Sequence, residues 1–80
     1  MKELLKFQAS WCGPCNALSE TFKKVAVPYS FREIDIDEDP ILAAKFNIRS
    51  VPTIIIVEEG HEVKRKVGNM TLEQLKEFIE

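Results

Sequence analysis

Trp11-Cys12-Gly13-Pro14-Cys15, set between Glu3-Leu-Leu-Lys-Phe-Gln-Ala9 and the segment from Asn16 to Ala26, decides how this chain is read. The five residues hold both of its cysteines. Two thiols at this spacing can close a small disulfide ring and reopen it, so the pair can carry two electrons. The apolar run before them is short enough for a strand. After them Leu18, Phe22 and Val25 recur at spacings of four and three, the stripe of an amphipathic helix. Cys12 therefore falls where a strand ends and a helix begins. Unpaired backbone N–H groups and the helix dipole favour an anion there. A thiolate is such an anion, and this placement can bring a cysteine pKa down from its free value of about 8.5.

Composition narrows the setting. Eighty residues make one domain with a small core. Eleven basic and 13 acidic residues give a net charge of -2, which argues against a nucleic-acid or anionic-membrane partner. Lys64-Arg65-Lys66 is the only basic run, and on a strand its lysines read as edge protection. No apolar stretch follows Met1-Lys-Glu-Leu-Leu before Lys6, so no signal peptide is read, and nothing approaches a membrane span. The expected setting is the cytoplasm, where a close cysteine pair is more often catalytic or metal-binding than structural. Metal is disfavoured, because zinc usually takes four ligands and the chain offers two cysteines plus His61 at an expected hairpin tip.

The elements follow in order. Strands are expected over residues 3–8, 31–36, 53–57 and 62–67. The first helix is expected from Gly13 to Ala26, stopping before Pro28. Asp39-Pro40 opens a second, short helix, with Asp as N-cap and Pro at the first helical position. That helix is expected to bury Ile41, Leu42, Ala44 and Phe46. Ile54-Ile-Ile-Val57 suggests burial on both faces of its strand. Glu58-Glu59-Gly60-His61 is a hairpin turn, and Thr71 with Gln74 caps a last helix whose apolar face is Leu72, Leu75, Phe78 and Ile79. The result is an α/β chain, β-α-β-α-β-β-α. It fits a four-stranded mixed sheet in the order 2-1-3-4 with helices on both faces.

These residues in this order resemble the thioredoxin family, along nearly the whole chain. Trp11-Cys-Gly-Pro-Cys15 matches the family's active-site motif at every position. Ile36-Asp37 leading to Asp39-Pro40, Ser50-Val-Pro-Thr53, and Val67-Gly68 resemble three further family segments. The resemblance implies a single thioredoxin-like domain over residues 1–80 and a protein-disulfide reductase acting by dithiol–disulfide exchange. Cys12 would be the more exposed, attacking thiolate and Cys15 the resolving thiol. Trp11 would shield the rim, with Gly13 and Pro14 keeping the turn tight. Pro52 would be cis and would turn the Val51 backbone outward to meet a substrate strand, with Gly68 bordering the groove. The sulfurs supply the chemistry, so no bound cofactor is expected. The implied partners are disulfide-containing proteins and thioredoxin reductase or an equivalent donor, the chain acting as a monomer.

The departures from the family are specific. Its leading strand and helix are absent here, which makes the second strand a sheet edge. Gln8 stands where many members have a second tryptophan, and Glu20 where many have a proline. Lys6 stands where the family commonly has a buried aspartate beneath the second cysteine, and Glu33 where it commonly has a lysine. The charges of that pair are exchanged. Lys6 reads either as a lysine that snorkels to the sheet edge or pairs with Glu33, or as a proton-transfer group near Cys15. Two other functions fit the same residues. One is a glutaredoxin-like, glutathione-dependent oxidoreductase. The other is a non-enzymatic subunit that docks a partner on Trp11, Pro14, Val51 and Gly68.

Overall fold

Two strands of this chain are apolar on both faces, and that dictates layers above and below them. The computed structural model describes residues 1–80. In β1 (Lys2–Gln8) Leu4, Leu5, Lys6 and Phe7 are all buried, and in β3 (Thr53–Glu58) Thr53 to Val57 are all buried. They pair antiparallel at the centre of the sheet. β2 (Ser30–Asp35) lies parallel to β1 on one side, and β4 (His61–Val67) lies antiparallel to β3 on the other. The order is β2-β1-β3-β4, as the element pattern predicts.

Alternation along the strands sorts the core into two faces. Leu4, Ile54 and Ile56 pack with Leu18 and Phe22 of α1 (Gly13–Phe22) and with Leu75 and Ile79 of α3 (Leu72–Ile79). Leu5, Phe7, Ile34, Ile55 and Val57 pack against Leu42 of α2 (Pro40–Lys45) and the segment after it, through Phe46, Ile48 and Val51. Lys6 belongs by alternation to the first face, beneath α1. Phe31 on β2 reaches the same face and stacks on Phe22 at 4.7 Å between ring centroids.

Some expected boundaries and contacts shift. α1 ends at Phe22, not Ala26, because the chain tightens there. The N–H groups of Lys24 and Val25 donate to the carbonyls three residues back, on Thr21 and Phe22, and Val25 and Val27 then turn onto the core. β2 begins at Ser30 and ends at Asp35, one residue earlier than expected at each end. α2 buries none of its residues. Ile41 is 83% exposed and Ala44 is exposed, while Leu42 and Phe46 are half-buried. Six residues make fewer than two turns, so only one edge of α2 meets the sheet.

Both sheet edges are polar. On β4 the register slips between Ile56 and Val57, which leaves Val63 as a bulge, and Lys64 lies over the Phe78 ring at 5.0 Å. Asp39 caps α2 through the Leu42 N–H, and Thr71 with Gln74 forms a complete capping box on α3. The β3–β4 turn holds Glu59 at φ 51 and Gly60 at φ 80, the two positive values of a two-residue hairpin loop.

Glu59 is the strained member of that turn, since a non-glycine side chain resists positive φ. Asn tolerates the conformation better. Glu59→Asn is expected to stabilise the fold by about 0.5–1 kcal/mol. The urea midpoint should rise at an unchanged m-value.

Candidate active site

β1 delivers the chain to the site, and α1 begins in it. After Gln8 the backbone closes a turn in which the Cys12 N–H donates to the Ala9 carbonyl at 3.1 Å. Cys12 is then the N-cap of α1, with extended φ and ψ of -92° and 104°. Pro14 falls in the first helical turn, where its missing N–H costs nothing. Cys12 and Cys15 are joined as a disulfide, with Cα atoms 5.2 Å apart. The Cys15 N–H donates to Cys12 Sγ at 3.1 Å. An N-cap oxygen usually accepts that bond, and here the sulfur of Cys12 does. Negative charge arriving on Cys12 Sγ would find an N–H already aimed at it.

Cys12 is the more exposed of the two cysteines by only a small margin. Cys12 is 4% exposed and Cys15 is 2% exposed. The two sulfurs are distinguished by their place on the helix and not by accessibility. Ala9, Cys12 and Cys15 form one apolar cluster, and Ile36 and Val51 pack against it. Those two side chains are the apolar neighbours of the cysteine pair. Trp11 does not take that part: it is 67% exposed, and its Nε1–H donates to Asp37 Oδ2 at 2.9 Å. The bond pins the indole at the rim.

Across the disulfide lies the Val51–Pro52 segment. The peptide bond between them is cis, as the resemblance implies, and Pro52 is buried. The Gly68 N–H donates to the Pro52 carbonyl at 2.8 Å. Gly68 has φ 92, a conformation that favours glycine, so its place after β4 is set by backbone geometry. Of the residues singled out in the sequence, Gly13 and Pro14 open α1 between the two cysteines, Trp11 precedes them, Val51 packs against the cysteine cluster, and Gly68 is tied to Pro52. His61 is exposed at the start of β4.

Beneath the start of α1 is a polar cluster. Lys6 Nζ donates to Ser19 Oγ at 2.7 Å, to Glu33 Oε2 at 3.3 Å, and to Gln8 Oε1. The Ser19 hydroxyl in turn donates to the Cys15 carbonyl at 3.1 Å. Lys6 and Glu33 are direct partners in the β1–β2 register. The Lys6 side chain is fully buried, whereas that of Glu33 is 48% exposed. Burial lowers the Lys6 pKa from the ordinary lysine value, and Glu33 offsets part of that. The snorkelling reading of Lys6 is corrected by this geometry, because its nitrogen stays inside. Ser19 and Asp37 escape a reading of the sequence. The one cue for Ser19 is its place one helical turn after Cys15; for Asp37 it is the place just past a strand end.

Comparison with known proteins agrees with this geometry. The family model described as Thioredoxin matches residues 1–80. The chain is 38% identical over 81 residues to the thioredoxin of Staphylococcus saprophyticus, spanning 96% of this chain and 78% of that one. It belongs to the thioredoxin family. The Staphylococcus aureus thioredoxin is 34% identical over 82 residues, with 98% and 79% covered. The structure of Fasciola hepatica thioredoxin superposes with a TM-score of 0.88 at 31% identity, over 98% of this chain and 77% of that one. That of reduced Schistosoma mansoni thioredoxin pre-protein gives 0.86 at 31% identity, over 98% and 75%. Members of the family are disulfide oxidoreductases, and the Cys12–Cys15 disulfide sits at the family's Cys-x-x-Cys site. No helix of the structure is long and apolar enough to cross a membrane.

Lys6 is a charged side chain buried on β1, and its energetics are testable apart from catalysis. Removing one partner of a fully buried ion pair is costly. Here the partner left behind, Glu33, is half in water, while Lys6 carries the burial cost. Lys6→Met should therefore change stability by no more than about 1 kcal/mol in either direction. The pH dependence has a definite sign. The folded-state pKa of Lys6 is lowered, so between that value and the unfolded value of about 10.4 the unfolded chain binds more protons. Stability of the oxidised wild type relative to Lys6→Met should rise with pH across that window and be smallest below it. Paired urea titrations of the two disulfide-bonded proteins check this, with Tyr29 common to both.

Proposed function

We propose that this chain is a protein-disulfide reductase working by dithiol–disulfide exchange, in the manner of a thioredoxin, with its 80 residues as one domain. The observation that carries the reading is the sulfur of Cys12 at the N-cap of α1, accepting the Cys15 N–H beside the buried Pro52 segment. Reduced, that sulfur is the better thiolate of the two, because the N–H and the helix dipole both stabilise its negative charge.

Cys12 attacks one sulfur of a substrate disulfide. A bond forms between Cys12 and that sulfur, the substrate's S–S bond breaks, and its other sulfur leaves as a thiolate that takes a proton. Cys15, deprotonated in turn, attacks Cys12 Sγ. The mixed disulfide breaks, the second substrate thiol is released, and the Cys12–Cys15 disulfide is left. Two electrons have passed to the substrate, and a donor dithiol must restore them. No bound cofactor enters these steps.

The rim suits an extended substrate segment. Val51 is half-buried against the cysteine cluster, Trp11 and Pro14 are exposed on the other side, and Gly68 has no side chain to obstruct the approach. A substrate strand can pair with the Val51 backbone while its disulfide lies over Cys12. The donor is thioredoxin reductase or an equivalent dithiol enzyme, and the site of action is the cytoplasm.

Two variants test the roles. In reduced protein Cys12 should be the thiol that reacts fast with iodoacetamide near pH 7, and rapid labelling of Cys15 with Cys12 left free would reverse the assignment. Cys15→Ser should accumulate disulfide-linked adducts with a disulfide-bonded protein substrate, whereas Cys12→Ser should form none and lose turnover. Donor identity is read by comparing thioredoxin reductase with the glutathione–glutathione reductase couple. Faster turnover with glutathione would move the chain to the glutaredoxin-like reading.

A further inference from the structure

The one charged residue buried in this protein is Lys6, and dithiol exchange as described above gives it no part. Its surroundings specify which form it takes. An ammonium has three N–H donors and no acceptor. Lys6 Nζ meets three acceptors: Gln8 Oε1, Glu33 Oε2 and Ser19 Oγ. The Ser19 hydroxyl proton is committed to the Cys15 carbonyl, so Ser19 has nothing to donate back to a neutral amine. Three acceptors match the three donors of –NH3⁺, one more than –NH2 can supply. The same bonds connect the charge to the site, since only Ser19 stands between Lys6 Nζ and the Cys15 carbonyl.

We propose that the buried Lys6 ammonium is a positioning residue for the redox step: it stabilises thiolate at the Cys12–Cys15 pair and so favours the reduced form of the protein. The inference rests on the reading of this pair as a working redox site. The sulfurs lie in an apolar setting of Ala9, Ile36 and Val51, which by itself disfavours a thiolate. A positive charge held out of water beneath the same helix turn opposes that penalty, and low local dielectric extends its reach.

The other charges around Lys6 do not cancel it. Glu33, on β2, is half in water and so is screened more than the ammonium it faces. Lys23, the C-cap of α1, lines the same cleft as Glu33 but is paired with Glu20 at 2.7 Å. Asp35, further along β2, accepts the Asp37 N–H. Lys66, opposite Ile54 on β4, is exposed. From β3 and α3 the neighbours on this face are apolar: Ile54, Ile56 and Leu75.

The effect is read at equilibrium with glutathione. Two glutathione thiols reduce the protein disulfide. The Cys12–Cys15 bond breaks, a bond forms between the two glutathione sulfurs, and two electrons pass to the protein. Above the Cys12 pKa one proton is released and Cys12 retains the negative charge. That retained charge is what Lys6 stabilises, so the protein disulfide is a better electron acceptor than the same site without the ammonium.

The test uses the full chain in wild-type, Lys6→Met and Glu33→Gln forms. Two quantities are measured: the equilibrium constant with glutathione, and the pH midpoint of Cys12 alkylation by iodoacetamide. Lys6→Met should shift the equilibrium about tenfold toward the disulfide, about 30 mV more negative, and raise the midpoint by about one unit. Glu33→Gln, which removes the countercharge, should shift both the opposite way by roughly threefold. A folded Lys6→Met protein with wild-type values overturns the proposal. Should that variant not fold, Glu33→Gln decides alone, and no shift, or one toward the disulfide, overturns it. Neither readout needs a protein substrate. A chain inert toward protein disulfides but with both shifts present would uphold the inference and remove the functional reading, while normal turnover with no shifts would remove only the inference.

Discussion

Two-sided burial of β1 and β3 is the constraint on which the rest of this molecule depends. Leu4 to Phe7 and Thr53 to Val57 are buried regardless of which face each side chain points to. Neither strand can be satisfied by one layer. α1 and α3 cover one side, and α2 with the chain after it covers the other. Once the central pair is fixed, β2 and β4 become the edges, and they carry the polar and charged residues that edges tolerate. The site lies where β1 leaves this pair and α1 begins, so the sulfurs are anchored by the most buried part of the sheet.

The same constraint explains why a single charge matters. Lys6, on the face of β1 beneath α1, has its side chain fully buried. A lysine there must find acceptors from its own neighbourhood, and Gln8, Ser19 and Glu33 come from three different elements to supply them. No buried side-chain nitrogen or oxygen is left without a partner. The cluster is therefore satisfied and not a defect of packing. Its asymmetry is the useful property, because the positive end is dry and the negative end is wet.

Around the sulfurs the division of labour differs from what side-chain size suggests. Trp11 is the largest residue of the motif, yet its ring is held outward by Asp37, and the smaller Ile36 and Val51 pack against the cysteine cluster. The polar contribution is backbone: one N–H on Cys12 Sγ, and one from Gly68 that ties the end of β4 to Pro52. Backbone groups on short loops between buried elements lose little freedom when they act, which suits a site that must make and break bonds at the same atoms.

The sequence alone determined the elements and where the chemistry sits. Cys12 and Cys15 between an apolar run and a helical stripe place a thiol at a helix start, and the Ile54-Ile-Ile-Val57 run marks the strand that needs cover on both faces. Asp39, Thr71 and Gln74 announce two helix starts through their own side chains. These are local signals, carried by residues within a few positions of one another. What only the tertiary structure decided depends on residues far apart in the chain. Helical periodicity alone would carry α1 to Ala26, but the turn toward the core at Val25 ends it at Phe22. Ile41 shares a helical pattern with Leu42, yet only Leu42 meets the sheet. Ser19 joins Lys6 across a separation of 13 residues, and Asp37 joins Trp11 across 26. Ile36 and Val51, which arrive from other loops, pack against the cluster of Ala9, Cys12 and Cys15. Periodicity names the face a residue shares but not what meets it, because strand register and helix phase are fixed only when the sheet closes.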